Sequence, residues 1–129
     1  IQVYADAGGE PELGYLAGMM DRALSSGERD PQTLNAFAWT LAERGLEPET
    51  AVELATEALM LAPEDTNIMD TLAEALYAAG RCDEAVARET VALRMEPGSE
   101  WFRDQLAKFT EALESLESRE RPSPCLRGR

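Results

Sequence analysis

An all-α fold built from stacked helix pairs is predicted by three features of this 129-residue chain. The first is an internal repeat. Residues 31–65 place Leu34, Phe37, Ala38, Leu41, Gly45, Ala51, Ala55, Ala58 and Pro63 in an order that residues 66–99 answer with Met69, Leu72, Ala73, Leu76, Gly80, Ala85, Glu89, Ala92 and Pro97. The step is 35 residues up to the glycines and 34 after them, so the first unit holds one extra residue in its turn, where Leu46 to Thr50 stand opposite Arg81 to Glu84. A period of this size means supersecondary units that cannot bury their apolar faces alone and must stack. The second feature is the spacing of apolar residues by three and four, the helical period. The third is composition: aromatics make up only 6 % while alanine and leucine are abundant, which favours close helix packing over a sheet sandwich.

Taken in order, residues 1–11 read as a linker or loose segment marked by Ala7-Gly8-Gly9, ahead of a helical domain over 12–118. Pro11 suits the first turn of a helix continued by Leu13, Leu16, Ala17, Met20 and Leu24 and ended near Ser25-Ser26-Gly27. Asp30-Pro31 supplies a cap followed by proline at the first helical position, and Gly45 supplies the stop. The next helix runs from Pro48 to about Leu61, before Ala62-Pro63. A helix from about Thr66 to Ala79 stops at Gly80, and another spans about Asp83 to Met95 before Pro97-Gly98. Ser99 caps a last helix, a partial unit or closing element over 100–118, whose stripe of Phe102, Leu106, Phe109, Leu113 and Leu116 leaves Glu111, Glu114 and Glu117 facing away. From Arg119 onward Pro122 and Pro124 oppose a regular helix, and residues 119–129 are expected to be a disordered basic tail.

Charge excludes several functions. The formal charge of −13 divides into +3 over residues 119–129, with four arginines and one glutamate, and −16 over the rest. Such a body repels phosphate backbones and anionic lipid, so nucleic acid is not an expected partner. The chain has no histidine, the commonest general base and metal ligand. Two cysteines are too few for a disulfide framework or a zinc site, and Cys82 is expected to be a packed thiol. No apolar run approaches the roughly 20 residues that span a bilayer, so membrane insertion is not expected. These features suit a soluble protein, cytoplasmic rather than secreted, although Ile1 in place of an initiating methionine points to a processed chain or a piece of a longer one. The stretch Asp65-Thr66-Asn67-Ile68-Met69-Asp70 has some of the oxygen ligands of a calcium loop but lacks its glycine and distal glutamate, and a capped turn explains it. No catalytic, metal or cofactor site is expected, because carboxylates three or four apart on helices form a solvated face.

Each unit is thus helix, tight turn, helix, proline, and this resembles the tetratricopeptide repeat. Leu72-Ala73, Leu76, Gly80, Ala85, Ala92 and Pro97 match the family's pattern in the second unit, and Phe37-Ala38, Leu41, Gly45, Ala51, Ala58 and Pro63 match it in the first. Two departures are the extra turn residue and Glu89, where the family usually has an aromatic or small apolar side chain. The resemblance implies a short right-handed α-solenoid, a noncatalytic protein-binding function, and a concave groove lined by the first helix of each unit. The lysines and arginines with which one subset of the family grips a C-terminal carboxylate are missing, since the matching positions hold Asn35, Trp39, Thr71, Trp101 and Gln105.

By helical phase the groove face presents Gln32, Asn35, Trp39 and Glu43 from one helix and Asn67, Asp70, Glu74 and Tyr77 from the next. The residues expected to bind a partner are Asn35, Trp39, Glu43, Asp70, Glu74 and Tyr77, and their acidic, aromatic character suits a basic or apolar protein segment. Trp39 either lies open in the groove or packs against the N-terminal helix. Trp101 is assigned to closing the end of the core. Two alternatives stand beside the binding module: an accessory helical region of a larger enzyme, since the phrases Asn35 to Trp39 and Asp70 to Ala73 resemble repeat regions that follow thioredoxin-like domains in some bacterial proteins, and a homo-oligomeric scaffold built through the unfinished last unit.

Overall fold

The computed structural model describes residues 10–25, 27 and 29–118, and among them all regular secondary structure is helical. Six helices follow one another: α1 (Glu10–Ser25), α2 (Pro31–Arg44), α3 (Pro48–Leu61), α4 (Thr66–Ala78), α5 (Cys82–Met95) and α6 (Glu100–Ser118). The expected linker and basic tail lie outside the described residues. The chain divides into two compact units at Asp30/Pro31, so that α1 belongs to the first and α2 to α6 to the second. Within the second unit each helix packs against its successor, α2 also packs on α4, and α4 touches α6. Among the described residues no helix is long and apolar enough to cross a membrane.

Local sequence accounts for where these helices begin and end. Both turns inside the repeated pairs have the same hydrogen bonds: the Gly45 and Gly80 amides donate to Ala42 and Tyr77 carbonyls, and the next amides, Leu46 and Arg81, reach back to Leu41 and Leu76. This paired closure satisfies two end carbonyls and needs a left-handed residue, supplied by the glycines at φ 69° and 84°. The extra residue of the first unit is absorbed at Glu47, which takes φ 44° immediately before Pro48 opens α3. Between the pairs, the Asp65 carboxylate accepts from the amides of Asn67 and Ile68 and caps α4. The Ser99 hydroxyl oxygen accepts from the Phe102 amide at the start of α6. Asp65 is therefore a cap, and among the described residues no group of three or more acids and cysteines is placed to hold a metal ion.

The core follows the repeat. Leu34, Ala38, Leu41, Ala51, Ala55 and Ala58 are buried in the first pair, and Met69, Leu72, Ala73, Leu76, Ala85 and Ala92 in the second. Phe37 is only half-buried, whereas Ala38 beside it is closed off completely. In α6 the buried positions are Phe102, Gln105, Phe109 and Ala112. The stripe read from the sequence, with Leu106 and Leu113, is thus rotated by about one position. Gln105 is inside because it hydrogen-bonds to acids on α4 rather than because it is apolar.

Candidate functional site

Helix α4 is buried almost all round, and its two acids meet a matching set of donors on α6. The Trp101 indole N–H donates to Asp70 Oδ2 at 2.8 Å, and Gln105 Nε2 donates to Asp70 Oδ1 at 3.1 Å and Glu74 Oε1 at 3.0 Å. Lys108 Nζ lies 3.0 Å from the same Glu74 oxygen. Its ammonium also sits over the rings of Tyr77 and Phe109, 5.0 and 5.2 Å from their centroids. Trp101, Gln105 and Lys108 are spaced by four and three along α6, which puts them on the face opposite Asp70 and Glu74, themselves one turn apart on α4.

Asp70 and Glu74, expected as open groove residues, are only 6 % and 8 % exposed. Their carboxylates are engaged within the chain, because α6 lays its polar stripe across them. Glu43 is exposed as expected, and Asn35, Trp39 and Tyr77 are half-buried. The Asn35 side-chain oxygen is enclosed without a hydrogen-bond donor. Trp101 does not close the core: it is 53 % exposed, and its ring stands 6.1 Å from that of Trp39. The two tryptophans of the chain, 62 residues apart in sequence, therefore form one tilted pair joining α2 to α6 beside α4.

Glu89 completes the acidic cluster from α5. It occupies the repeat position of Ala55, is fully buried, and as a carboxylate would have no donor for either oxygen. Burial first, then the nearby charge of Asp70, a hydrogen bond to Asp70 and the charge of Glu74 push its pKa up to about 9, against a smaller opposing pull from Lys108. At neutral pH Glu89 is consequently a carboxylic acid, and its O–H donates to Asp70. The proton gives one of the two oxygens a partner, and the other is left without a donor. With Glu89 neutral, the cluster holds two carboxylates and one ammonium; ionising Glu89 would add a third negative charge to a buried site.

Beside this network a cleft of about 520 Å³ is lined by Glu43 at the end of α2, Gly45 in the turn and Glu49 at the start of α3, and by Glu74, Tyr77 and Ala78 from α4. Glu49 is weakly paired with Arg81, at 3.4 Å between exposed side chains. Tyr77 continues from this cleft into the cluster around Cys82, where Ala112 and Leu113 of α6 also pack. Cys82 is buried, as a packed thiol would be, but its sulfur is joined in a disulfide, so it is no thiol.

No family model, curated protein or solved structure matches this chain.

Proposed function

We propose that residues 31–118 form a short right-handed tetratricopeptide-like solenoid that acts without catalysis, binding a basic or apolar protein segment on the face shared by α2, α4 and α6. The observation that carries this reading is the tryptophan pair. Trp101 leaves more than half of its surface in solvent next to Trp39, while the acids Asp70 and Glu74 lie behind it. Large aromatic side chains that are partly open and held in place are the residues that most often anchor an interface. Here the indole of Trp101 is fixed by its hydrogen bond to Asp70, so little side-chain freedom is left to lose on binding. Glu43 and the adjoining acidic cleft favour lysine or arginine in the ligand. The repeated glycine turns and buried alanines support the family resemblance.

Because Trp39 and Trp101 are the only tryptophans, intrinsic fluorescence reads the site directly. Titration with peptides carrying lysine or arginine beside apolar residues should shift the tryptophan emission, and added salt should weaken the response. A Trp39→Ala, Glu43→Lys double variant that stays folded should lose binding; unchanged affinity would remove this face as the site. Glu74→Lys is a poor probe, since it would place a second ammonium against Lys108 and disturb packing as well as binding.

A further inference from the structure

Helices α3 and α5 both pack on α4 and leave between them a groove of about 420 Å³, with Leu72 and Leu76 of α4 at its base, Val52 and Thr56 on one wall and Ala87 and Val91 on the other. The groove opens onto bare apolar surface. Of the six large apolar side chains exposed among the described residues, four stand on these two helices: Met60 and Leu61 on α3, Val91 and Met95 on α5. Val52, Thr56 and Met60 recur at four along α3, and Arg88, Val91 and Met95 at three and four along α5, which puts each set on one face of its helix. We propose that this face pairs with the same face of a second copy of the chain, about a two-fold axis running along the groove.

Charge selects this occupant. Two bodies of formal charge −13 repel at a distance, so a dimer needs a seam where opposite charges meet. Helices α3 and α5 are each joined to α4 by a short turn and so run parallel to one another, and the 34-residue step of the repeat sets Arg88 level with Leu54, beside Glu53. Glu53 and Arg88 are both exposed, and neither forms an ion pair among the described residues. Arg81, by contrast, is held by Glu49 and Glu84. A two-fold axis along the groove lays α3 of each copy over α5 of the other at the same level, so Arg88 meets Glu53 of the second copy twice over, around an apolar centre of Met60, Val91 and Met95. A face that carries both charges is complemented by a copy of itself, whereas a uniformly acidic or basic partner would oppose like charge on one of the two helices.

Two 14-residue helices offer a face of roughly 20 by 20 Å, the size of a small interface, so pairing with a Kd on the order of 10 µM is expected. Neither α3 nor α5 belongs to the face shared by α2, α4 and α6, so a dimer presents that face twice and binds two basic segments at once. The avidity gained in this way rests on the function proposed for that face, whereas the pairing itself does not.

Sedimentation velocity of the full chain from about 1 to about 200 µM should show a monomer–dimer equilibrium. Arg88→Glu alone and Glu53→Arg alone should each weaken the dimer by about tenfold or more, because each opposes like charges at two points, while circular dichroism shows the helices intact. An equimolar mixture of the two variants should pair about as well as the parent, since each charge of one then meets its opposite on the other. A parent that stays monomeric over this range leaves the groove to some other molecule and overturns the proposal. Dimers that persist in both single variants pair through another face, and single variants that are weakened but not restored by mixing lack the two-fold arrangement; either result also overturns it. Tryptophan fluorescence of the Arg88→Glu variant reads peptide binding separately, so failure of the pairing and failure of the binding face are told apart.

Discussion

Replacing Glu89 by glutamine isolates the one buried acid that keeps its proton at neutral pH. Its pKa stands at about 9 in the folded chain against 4.5 for an unperturbed glutamate. Below the lower value both states hold the proton and Glu89 adds nothing to the pH dependence. Between the two values the folded state keeps a proton that the unfolded state has released, so stability falls as pH rises and continues to fall until the folded pKa is passed. The slope approaches 1.4 kcal/mol per pH unit, which between about pH 5.5 and about pH 8 amounts to roughly 3 kcal/mol. Glutamine has nearly the same shape, cannot ionise, and offers an amide N–H to Asp70. Urea unfolding of parent and Glu89→Gln at several pH values should therefore give two lines that diverge, with the variant gaining about 3 kcal/mol on the parent over that interval. Parallel lines would mean that Glu89 titrates as an ordinary glutamate and that the neutral O–H bond to Asp70 does not exist. Asp70 and Glu74 from α4 and Lys108 from α6 are the charged groups facing Glu89, so Lys108→Met should push the proton still more firmly onto Glu89.

Three further outcomes follow from single contacts. Lys108→Met should cost about 1–3 kcal/mol in urea unfolding at neutral pH, because it strips a buried carboxylate of its charge partner, and a loss within experimental error would show that Gln105 alone satisfies Glu74. Gly80→Val should lower stability by more than about 1 kcal/mol, since a β-branched residue resists the left-handed backbone; an unchanged melting temperature would remove the turn argument. Ala73→Leu should cost roughly 1–3 kcal/mol by overpacking a site with no free surface, and a variant as stable as its parent would show that α4 can shift to make room.

Helix limits were readable because their causes are local. Proline at the first position, aspartate or serine at the cap, and glycine at the turn act over four or five residues, and the expected starts at Pro31 and Pro48 agree with the structure. The starts at Thr66 and after Ser99 agree as well. The left-handed Gly80 was likewise implied by its place between two helices. The position of Glu47, where the inserted residue turns the chain, was confined to a five-residue window by the change in repeat step and fixed by its backbone.

The partners of the acids were not legible in the same way. Asp70 and Glu74 fall on the correct face of α4 by phase, yet phase says only which way a side chain points and not what lies against it. Whether they face solvent depends on how closely α6 approaches, and that approach brings Trp101, Gln105 and Lys108 down onto them. The complementary spacing of those three was present in the sequence, but it becomes informative only when the register between α4 and α6 is known.

The sequence by itself determined an all-helical repeat, its turns and its small-residue core, because periodicity and capping are properties of short stretches of chain. Only the tertiary structure decided which charges are buried. Packing α4, α5 and α6 together removes water from three carboxyl groups at once, and in the absence of water the arrangement must find a donor for each: indole and amide N–H groups for Asp70, amide and ammonium for Glu74, and for Glu89 a proton of its own.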